Sequence, residues 1–313
     1  MSTVNFRRPF SPFVAAREDY LLAIELEGRS PRTVEKYRRA IDRFGGLMGE
    51  PDPAAVDAAT LRRFLKALAD AGRATSTQAT YLVAVKTWLA WLADEGGYGV
   101  DLRAIARVKG PRVVRDPIVP FTEAECARLL AAGKPGSFRG HRLRAIVATL
   151  LDTGVRQGEL LGLRLGDLDL EAGEIRIRPE TDKTRKGRTI ALGKRARLEL
   201  SRYWSRHRYR EPFDLSPDSA LFVKHDGGGI TRTGLQLMLK RLGARANVPH
   251  VHPHRFRHTF AILSLRAGMD PYVLQASLGH RDMAMTARYV HLTNQDVREA
   301  KRAKSPLDRL KGI

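Results

Sequence analysis

The chain has 313 residues, 43% of them hydrophobic, which is enough for two globular domains with separate cores. Its 55 Lys and Arg residues against 34 Asp and Glu give a net charge of +21, which favours a polyanion such as nucleic acid as partner. A single cysteine excludes a disulfide framework within the chain, and no apolar run reaches the roughly 18 residues that span a bilayer. We therefore expect a soluble cytoplasmic protein. An anionic membrane surface is disfavoured, because we find neither a basic amphipathic helix with a large apolar face nor a lipidation motif.

The first hundred residues predict a helical domain. The second of its helices has both ends marked, by Ser30 as the N-cap, Pro31 in the first turn and the glycine pair 45–46 as the stop. Residues 11–97 are therefore predicted to form a four-helix domain. The four predicted helices cover residues 13–27, 30–46, 57–71 and 75–95.

Residues 98–120 contain several prolines and basic residues without a sustained apolar stripe, which predicts a basic linker between domains. The charge is unevenly distributed around this segment. Residues 1–110 hold 17 Lys and Arg against 13 Asp and Glu, and residues 111–313 hold 38 against 21, so the C-terminal part carries +17 of the +21.

The second domain is predicted to open with a helix after Thr122, which forms a capping box with Glu125. Helices dominate this domain, but apolar and polar residues alternate over 174–178 and 189–192, which predicts a small β hairpin. The predicted fold class is therefore mainly α with a small β hairpin or sheet in the second domain, an α+β arrangement. Asp167 and Asp169 are interpreted as the turn into the hairpin and not as a magnesium site, because no third carboxylate accompanies them.

Six residues in the second half form one chemical set of five cation-capable hydrogen-bond donors and one phenol. A free tyrosine has a pKa of about 10, so only on the order of 0.1% is phenolate at pH 7 and its ionisation needs help. Arginine stays charged and meets a phosphate through two hydrogen bonds, so this combination suits attack on a phosphodiester. The set consists of Arg156, Lys183, His254, Arg257, His280 and Tyr289.

Each of these residues also has an ordinary structural interpretation. Tyr289 alone would be a half-buried aromatic on a helix face, and Arg156 could form a structural salt bridge with Glu159. The basic run that contains Lys183, Lys186 and Arg188 could be a solvated turn.

The histidines at 250, 252, 254 and 258 raise the alternative of a zinc site, with His254 and His258 four residues apart. This alternative is disfavoured. No Glu follows His254 as in His-Glu-x-x-His, and the arginines at 255 and 257 would repel a dication.

The spacing of the set resembles a known family. His-x-x-Arg at 254–257, Leu-Gly-His at 278–280 and Tyr289 nine residues later resemble the second signature box of the tyrosine recombinases, also called phage-integrase-like site-specific recombinases. The stretch TGVRQGELLGLRLGDLDL resembles their first box. The segments SPRTVEKYRRAI and TQATYLVAVKTWLAWLADEG resemble their N-terminal SAM-like core-binding domain. The chain departs from the family's frequent Thr-Thr before the nucleophile, where it has Met285-Thr286.

The resemblance implies a two-domain DNA clamp. Residues 11–97 would be the core-binding domain, 121–297 the catalytic domain, and 298–313 a tail that contacts a neighbouring subunit. The enzyme would cleave and rejoin DNA through a 3′-phosphotyrosine intermediate and a Holliday junction. It would work as a homotetramer on two inverted-repeat DNA sites, with no metal or other cofactor. The need for a partner recombinase stays open.

The resemblance also implies a role for each residue. Arg156 and Arg257 would clamp the phosphate, and Tyr289 would be the nucleophile. Lys183, the first lysine of a Lys-x-x-Lys-x-Arg run, would be the general acid, with Lys186 as the substitute candidate. His254 would act as an acid/base and hydrogen-bond partner, His280 would donate to the phosphate, and Glu159 would support Arg156.

Two alternatives remain at the level of sequence. A type IB topoisomerase-like enzyme that nicks and relaxes DNA would share this chemistry, and a non-catalytic DNA-binding regulator could share the fold. Because the N-terminal segment is short, we expect no additional arm-binding domain, which favours the simple Xer-like or transposon-resolvase type over the larger phage integrases.

Overall fold

The computed structural model describes residues 11–95, 97–114, 118–182, 186–208 and 213–292. The chain divides into two compact units, Met1–Asp116 and Pro117–Ile313. Within the described residues, every helix is too short or too polar to cross a lipid bilayer.

The first unit is helical, as predicted. Ile105 and Val108 are buried against its core, although they lie in the segment whose sequence predicts a linker. The helices are α1 (Pro12–Leu26), α2 (Pro31–Met48), α3 (Ala58–Asp70), α4 (Thr75–Asp94) and the short α5 (Leu102–Ala106), with a 3-10 turn at Pro53–Ala55.

The start of α2 is confirmed, and its predicted end is wrong. The Ser30 hydroxyl accepts a hydrogen bond from the Thr33 amide at 3.2 Å, and Pro31 is the first helical residue. The helix continues through Gly45 to a left-handed glycine cap at Gly49. A side chain at Gly45 would lie 2.7 Å from the Phe13 ring, so this glycine allows close packing of α1 on α2 and does not stop the helix.

Aromatic rings fill the core of the first unit. Phe13 meets Trp88 edge-on at 5.2 Å between centroids, and Phe44 meets Phe64 in the same way at 5.1 Å. The Trp88 indole N–H donates to the Ala16 carbonyl at 3.2 Å, so the polar atom of this buried ring is satisfied.

The second unit is mainly helical and contains one small sheet. The predicted capping box between Thr122 and Glu125 is present. Its elements are α6 (Glu123–Ala132), α7 (Phe138–Thr153), α8 (Gln157–Gly162), β1 (Leu168–Asp169), β2 (Glu174–Ile177), β3 (Arg188–Ala191), α9 (Lys194–Tyr203), α10 (Arg232–Ala246), α11 (Pro253–Arg266), α12 (Pro271–Leu278) and α13 (Met283–Leu292).

The predicted hairpin is confirmed as β2 and β3, which pair antiparallel with Ile175 opposite Ile190. A two-residue strand, β1, adds to the other edge of β2, giving the order β1-β2-β3. The alternation pattern could not predict β1, because two residues contain no period. Asp169 belongs to β1 and also forms the turn, since its carboxylate accepts from the amides of Glu171 and Ala172.

Helix α7 lies in the middle of the second unit and is buried along nearly its whole length. It packs against α9 on one side and α11 on another. The chain leaves α7 at Gly154 and enters α8 at Arg156, so the start of α8 is placed beside α11, which carries the His-x-x-Arg motif.

Candidate active site

The two motif arginines are held by the end of one helix. Arg257, only 5% exposed, donates from Nη2 to the Leu278 carbonyl at 2.7 Å, and Arg156 donates from Nη2 to the next carbonyl, Gly279, also at 2.7 Å. Carbonyls at the C-terminus of a helix lack intrahelical donors and carry partial negative charge. The Leu-Gly of the Leu-Gly-His motif therefore positions both guanidiniums through its backbone.

Gly154 provides the second backbone acceptor for Arg257. Its carbonyl accepts from Arg257 Nη1 at 2.8 Å, and its φ of 59° lies in the left-handed region. A Cβ at this position would lie 2.5 Å from Phe260 and 2.9 Å from Leu278. A side chain here would therefore push apart the helices that hold the arginine in place.

Glu159 forms hydrogen bonds with Arg156, the residue that the resemblance implies it supports. It is 1% exposed and accepts from Arg156 Nη1 at 2.6 Å and from Arg188 Nη2 at 2.9 Å. Burial by itself raises the pKa of Glu159, but the hydrogen bonds from Arg188 and Arg156 outweigh it and the pKa is lowered. The carboxylate is therefore charged at neutral pH.

Arg188 and Asp182 join this network, which the sequence did not reveal. The interpretation of Arg188 as part of a solvated turn is wrong, because its side chain is only 10% exposed and its Nε donates to the Ser277 carbonyl at 2.8 Å. Asp182 lies 3.6 Å from Arg156 and 3.9 Å from Arg188. The only indication in the sequence that Asp182 belongs to the site is its position directly before Lys183.

Tyr289 is buried on α13, 5% exposed, among apolar residues of α11 and α12. Its hydroxyl lies 2.9 Å from His258 Nδ1, and its ring stacks on that of His280 at 6.2 Å between centroids and 10° between planes. Burial raises the pKa of Tyr289, and the opposing charges of Arg257, Arg288 and Arg156 do not offset it. The phenol is therefore protonated in the free protein at neutral pH.

His280 is oriented by Thr286, whose hydroxyl is fully buried and lies 2.8 Å from His280 Nδ1. Burial and the nearby charges of Arg257 and Arg156 lower the pKa of His280 to about 4. The ring is therefore neutral at pH 7 and keeps one N–H. When Nδ1 accepts from Thr286, that N–H is on Nε2 and is available to a ligand.

His254 lies in the first turn of α11, where its side chain is exposed. Burial of part of the ring, with the charges of Arg257 and Arg156, lowers its pKa. Lys183 lies outside the described residues, and Lys186 is exposed. The structure thus brings together Arg156, Arg257 and the rings of His280 and Tyr289.

The sequence indicates His258 only as a possible zinc ligand and does not predict its contact with Tyr289. Its position one turn after His254 placed both on one face of a helix, but nothing in the sequence joined that face to α13. His252 caps α11, with Nδ1 accepting from the Arg255 amide at 3.3 Å. Across the described ranges, no three His, Cys, Asp or Glu side chains gather as a metal site would require.

Comparison with known proteins identifies the family. The model of the phage integrase family matches residues 120–296, and that of the phage integrase N-terminal SAM-like domain matches residues 18–96. The chain belongs to the phage integrase family of tyrosine recombinases. Members of this family cleave and rejoin DNA strands, so the prediction of such an enzyme is confirmed.

The chain matches known recombinases over most of its own length and most of theirs. It is 31% identical to tyrosine recombinase XerD of Neisseria meningitidis serogroup B, over 84% of this chain and 86% of that protein. It is 30% identical to tyrosine recombinase XerC of Xanthomonas campestris pv. campestris, over 94% and 89%. The Xer-like resemblance is therefore confirmed, and the topoisomerase-like and regulator alternatives are not favoured.

Solved structures agree on the fold. XerA recombinase is 27% identical with a TM-score of 0.52, covering 94% of this chain and 98% of the other. The Tn1549 transposon integrase, solved with transposon right end DNA, is 22% identical with a TM-score of 0.74, covering 92% and 98%. The predicted fold class is confirmed.

Proposed function

We propose that this recombinase cleaves a specific site in double-stranded DNA with Tyr289 as the nucleophile, through a 3′-phosphotyrosine link and a Holliday junction. The observation that carries the assignment is the attachment of Arg156 and Arg257 to adjacent carbonyls, next to the buried Tyr289. Each guanidinium has five N–H donors and uses two on these described partners, so each keeps donors for a phosphate.

The electrostatics favour a phosphodiester over a neutral ligand. Burial and the neighbouring charge of Arg156 lower the pKa of Arg257 to about 10, which is a measure of how poorly its positive charge is compensated. A phosphodiester supplies one negative charge. The same donors can then stabilise the further charge that develops on the non-bridging oxygens in the transition state.

The leaving 5′-oxygen requires a proton. We infer that Lys183 supplies it, with Lys186 as the alternative, because a lysine ammonium can donate a proton and the resemblance assigns this role to the first lysine of the Lys-x-x-Lys-x-Arg run. His254 faces the same arginines from the start of α11 and would act as an acid/base and hydrogen-bond partner. His280 would donate to the phosphate from its neutral ring.

We further infer the roles of the domains, the oligomeric state and the cellular location. Residues 11–97 would bind DNA as the core-binding domain, with 98–120 as the linker and 121–297 as the catalytic domain. The protein would act in the cytoplasm as a homotetramer on two inverted-repeat sites. XerH site-specific recombinase, which is 21% identical with a TM-score of 0.67, has been solved bound to palindromic difH substrate. The tail at 298–313, proposed to contact a neighbouring subunit, lies outside the described residues.

Covalent capture tests this proposal. The protein is incubated in EDTA with a nicked, sequence-randomised duplex pool and denatured, and the attached DNA is sequenced. We expect an adduct enriched for one inverted-repeat site, and no detectable adduct with Tyr289→Phe at nearly unchanged DNA affinity. An adduct without sequence preference would support the topoisomerase-like alternative. If the wild type and Tyr289→Phe both bind DNA tightly and neither forms an adduct, the chain does not cleave DNA by itself, which would contradict the proposal.

A further inference from the structure

His258 contacts the atom that reacts. It follows Arg257 on α11, and its Nδ1 lies 2.9 Å from the Tyr289 hydroxyl oxygen, with 5.7 Å between the ring centroids. Among the residues the structure describes, this is the hydrogen bond of the phenol. The six residues of the sequence motif therefore leave out the nearest polar partner of the nucleophile.

The protonation states fix the direction of this hydrogen bond. The charged or titratable groups around His258 are His254 and His252 on its own helix, Arg288 on α13 and Arg257. Burial, with these groups, lowers the pKa of His258 to about 4, so its ring is neutral at pH 7. The protonated phenol is nearly inaccessible to water, and its O–H needs an acceptor there. A neutral imidazole with its proton on Nε2 presents the lone pair of Nδ1 to that O–H.

We propose that His258 is the proton acceptor of Tyr289, an inference that rests on the proposed function. The proton passes from Tyr289 Oη to His258 Nδ1 as the phenol oxygen forms a bond to phosphorus. The bond from phosphorus to the 5′-oxygen breaks, and that oxygen takes its proton from the general acid. In the rejoining step, the 5′-hydroxyl of the incoming strand bonds to phosphorus and gives its proton to the deprotonated general acid. The bond from phosphorus to the Tyr289 oxygen breaks, and the imidazolium of His258 returns its proton to that oxygen.

Substrate binding favours this transfer. In the free protein the positive charge of Arg257 disfavours an imidazolium on the adjacent residue. A phosphodiester bound to Arg156 and Arg257 offsets that charge, so His258 becomes a better proton acceptor when substrate is present. The phenol is kept neutral until then, because its pKa is raised in the free protein.

Two substitutions separate proton transfer from positioning. His258→Asn keeps an oxygen near the position of Nδ1 but cannot be protonated, and His258→Phe removes the acceptor. His252→Asn is the matched control, because Asn is a good N-cap and His252 does not contact Tyr289. DNA affinity and thermal unfolding are measured for each variant to verify the fold.

The first measurement is the single-turnover rate of adduct formation on a nicked duplex of the captured site, from pH 6 to pH 10. At pH 7 we expect His258→Asn to be slower by about 100-fold, in the range that positioned bases contribute. The difference in rate between the wild type and His258→Asn should shrink as pH rises toward the phenol pKa, since hydroxide then removes the proton. If His258→Asn reacts as fast as the wild type, or is slower by the same factor at every pH, His258 is not the proton acceptor.

The second measurement needs no DNA and therefore separates this inference from the proposed function. Tyrosine labelled with ¹³C at Cζ gives one NMR signal per ring, and the Tyr289 signal is the one absent from Tyr289→Phe. It should shift in His258→Phe and stay in place in His252→Asn. A signal that does not respond to His258→Phe would refute the hydrogen bond, whatever the outcome of the cleavage assay.

Discussion

Two arginines of the second unit, the partly buried Arg144 and the buried Arg257, are neutralised to different extents. Arg144 on α7 meets Glu199 on α9 with two hydrogen bonds, at 2.5 Å and 2.8 Å, and its pKa is raised. The described hydrogen bonds of Arg257 on α11 go to two backbone carbonyls, and its pKa is lowered to about 10. Arg144 is therefore paired with a carboxylate, whereas Arg257 is held in place by neutral acceptors and has no carboxylate within hydrogen-bonding distance among the described residues.

The carboxylates show the same difference. Glu199 accepts from Arg144 and also from the more exposed Arg202 at 3.2 Å. Glu159 is equally buried, and it and Asp182 pair with Arg156 and Arg188. Because Arg257 beside them has no carboxylate partner among the described residues, the site keeps an excess of positive charge. That excess faces Tyr289, where the scissile phosphate would bind.

The largest expected effect is that of Arg257→Gln. It should slow adduct formation by about 10³-fold, because donors that stabilise developing charge on phosphate contribute that much. Stability should fall little or rise, since the change removes a buried charge that has no counter-ion. Single-turnover cleavage and urea unfolding measure the two effects.

Arg144→Gln provides the control for that experiment, because cleavage per folded molecule should stay normal. A loss of folding from Arg257→Gln comparable to that of Arg144→Gln would contradict the distinction between the two sites.

Lys183→Ala tests the proton donor to the leaving oxygen. We expect adduct formation to slow by at least about 100-fold with unchanged DNA affinity, as for other positioned acids. A duplex with sulfur in place of the 5′-bridging oxygen should restore most of the rate, because a thiolate leaves without a proton. Lys186→Ala is the matched control, and the opposite ranking of the two lysines would make Lys186 the acid.

Arg144→Gln should itself cost about 3 kcal/mol of stability, because it leaves Glu199 buried without its main partner. Arg202→Gln should cost less than about 1 kcal/mol, since the Arg202 side chain is 42% exposed. Hydrogen exchange of peptides from α7 and α9 reports the opening of this region directly. Equal losses of stability from Arg144→Gln and Arg202→Gln would show that the exposure of the arginine does not determine how much its ion pair with Glu199 contributes.

Several elements of the fold could be predicted from the sequence, and the candidate site residues could be proposed from motif spacing, because these signals are local. The capping box at Thr122, the start of α2 at Ser30 and the β2–β3 hairpin follow from periodicity and capping preferences within a few residues. The end of α2 was mistaken, because the role of Gly45 depends on Phe13, which lies far away in sequence.

The partners of the site residues could not be predicted, for the same reason. The Gly279 carbonyl that holds Arg156 is 123 residues away, and Glu159 meets Arg188 across 29. His258 and Tyr289 lie 31 residues apart on different helices. Motifs show which side chains are present, but only packing decides whether an arginine meets a carboxylate or a carbonyl.

The smallest expected effect is the pH dependence of the Arg144–Glu199 pair. The hydrogen bond from Arg144 lowers the pKa of Glu199 below 4.5 in the folded protein, so its contribution to stability is complete above that pH and is lost as pH falls through the folded pKa. In Arg144→Gln, the loss of this partner should raise the pKa of Glu199 relative to the wild type, so the carboxylate contributes less to stability in the variant. The difference in stability between wild type and variant should therefore narrow as pH falls from 7 through the folded pKa of Glu199, as measured by hydrogen exchange of α9. A constant difference would show that the side-chain packing of Arg144, and not its charge, stabilises this region.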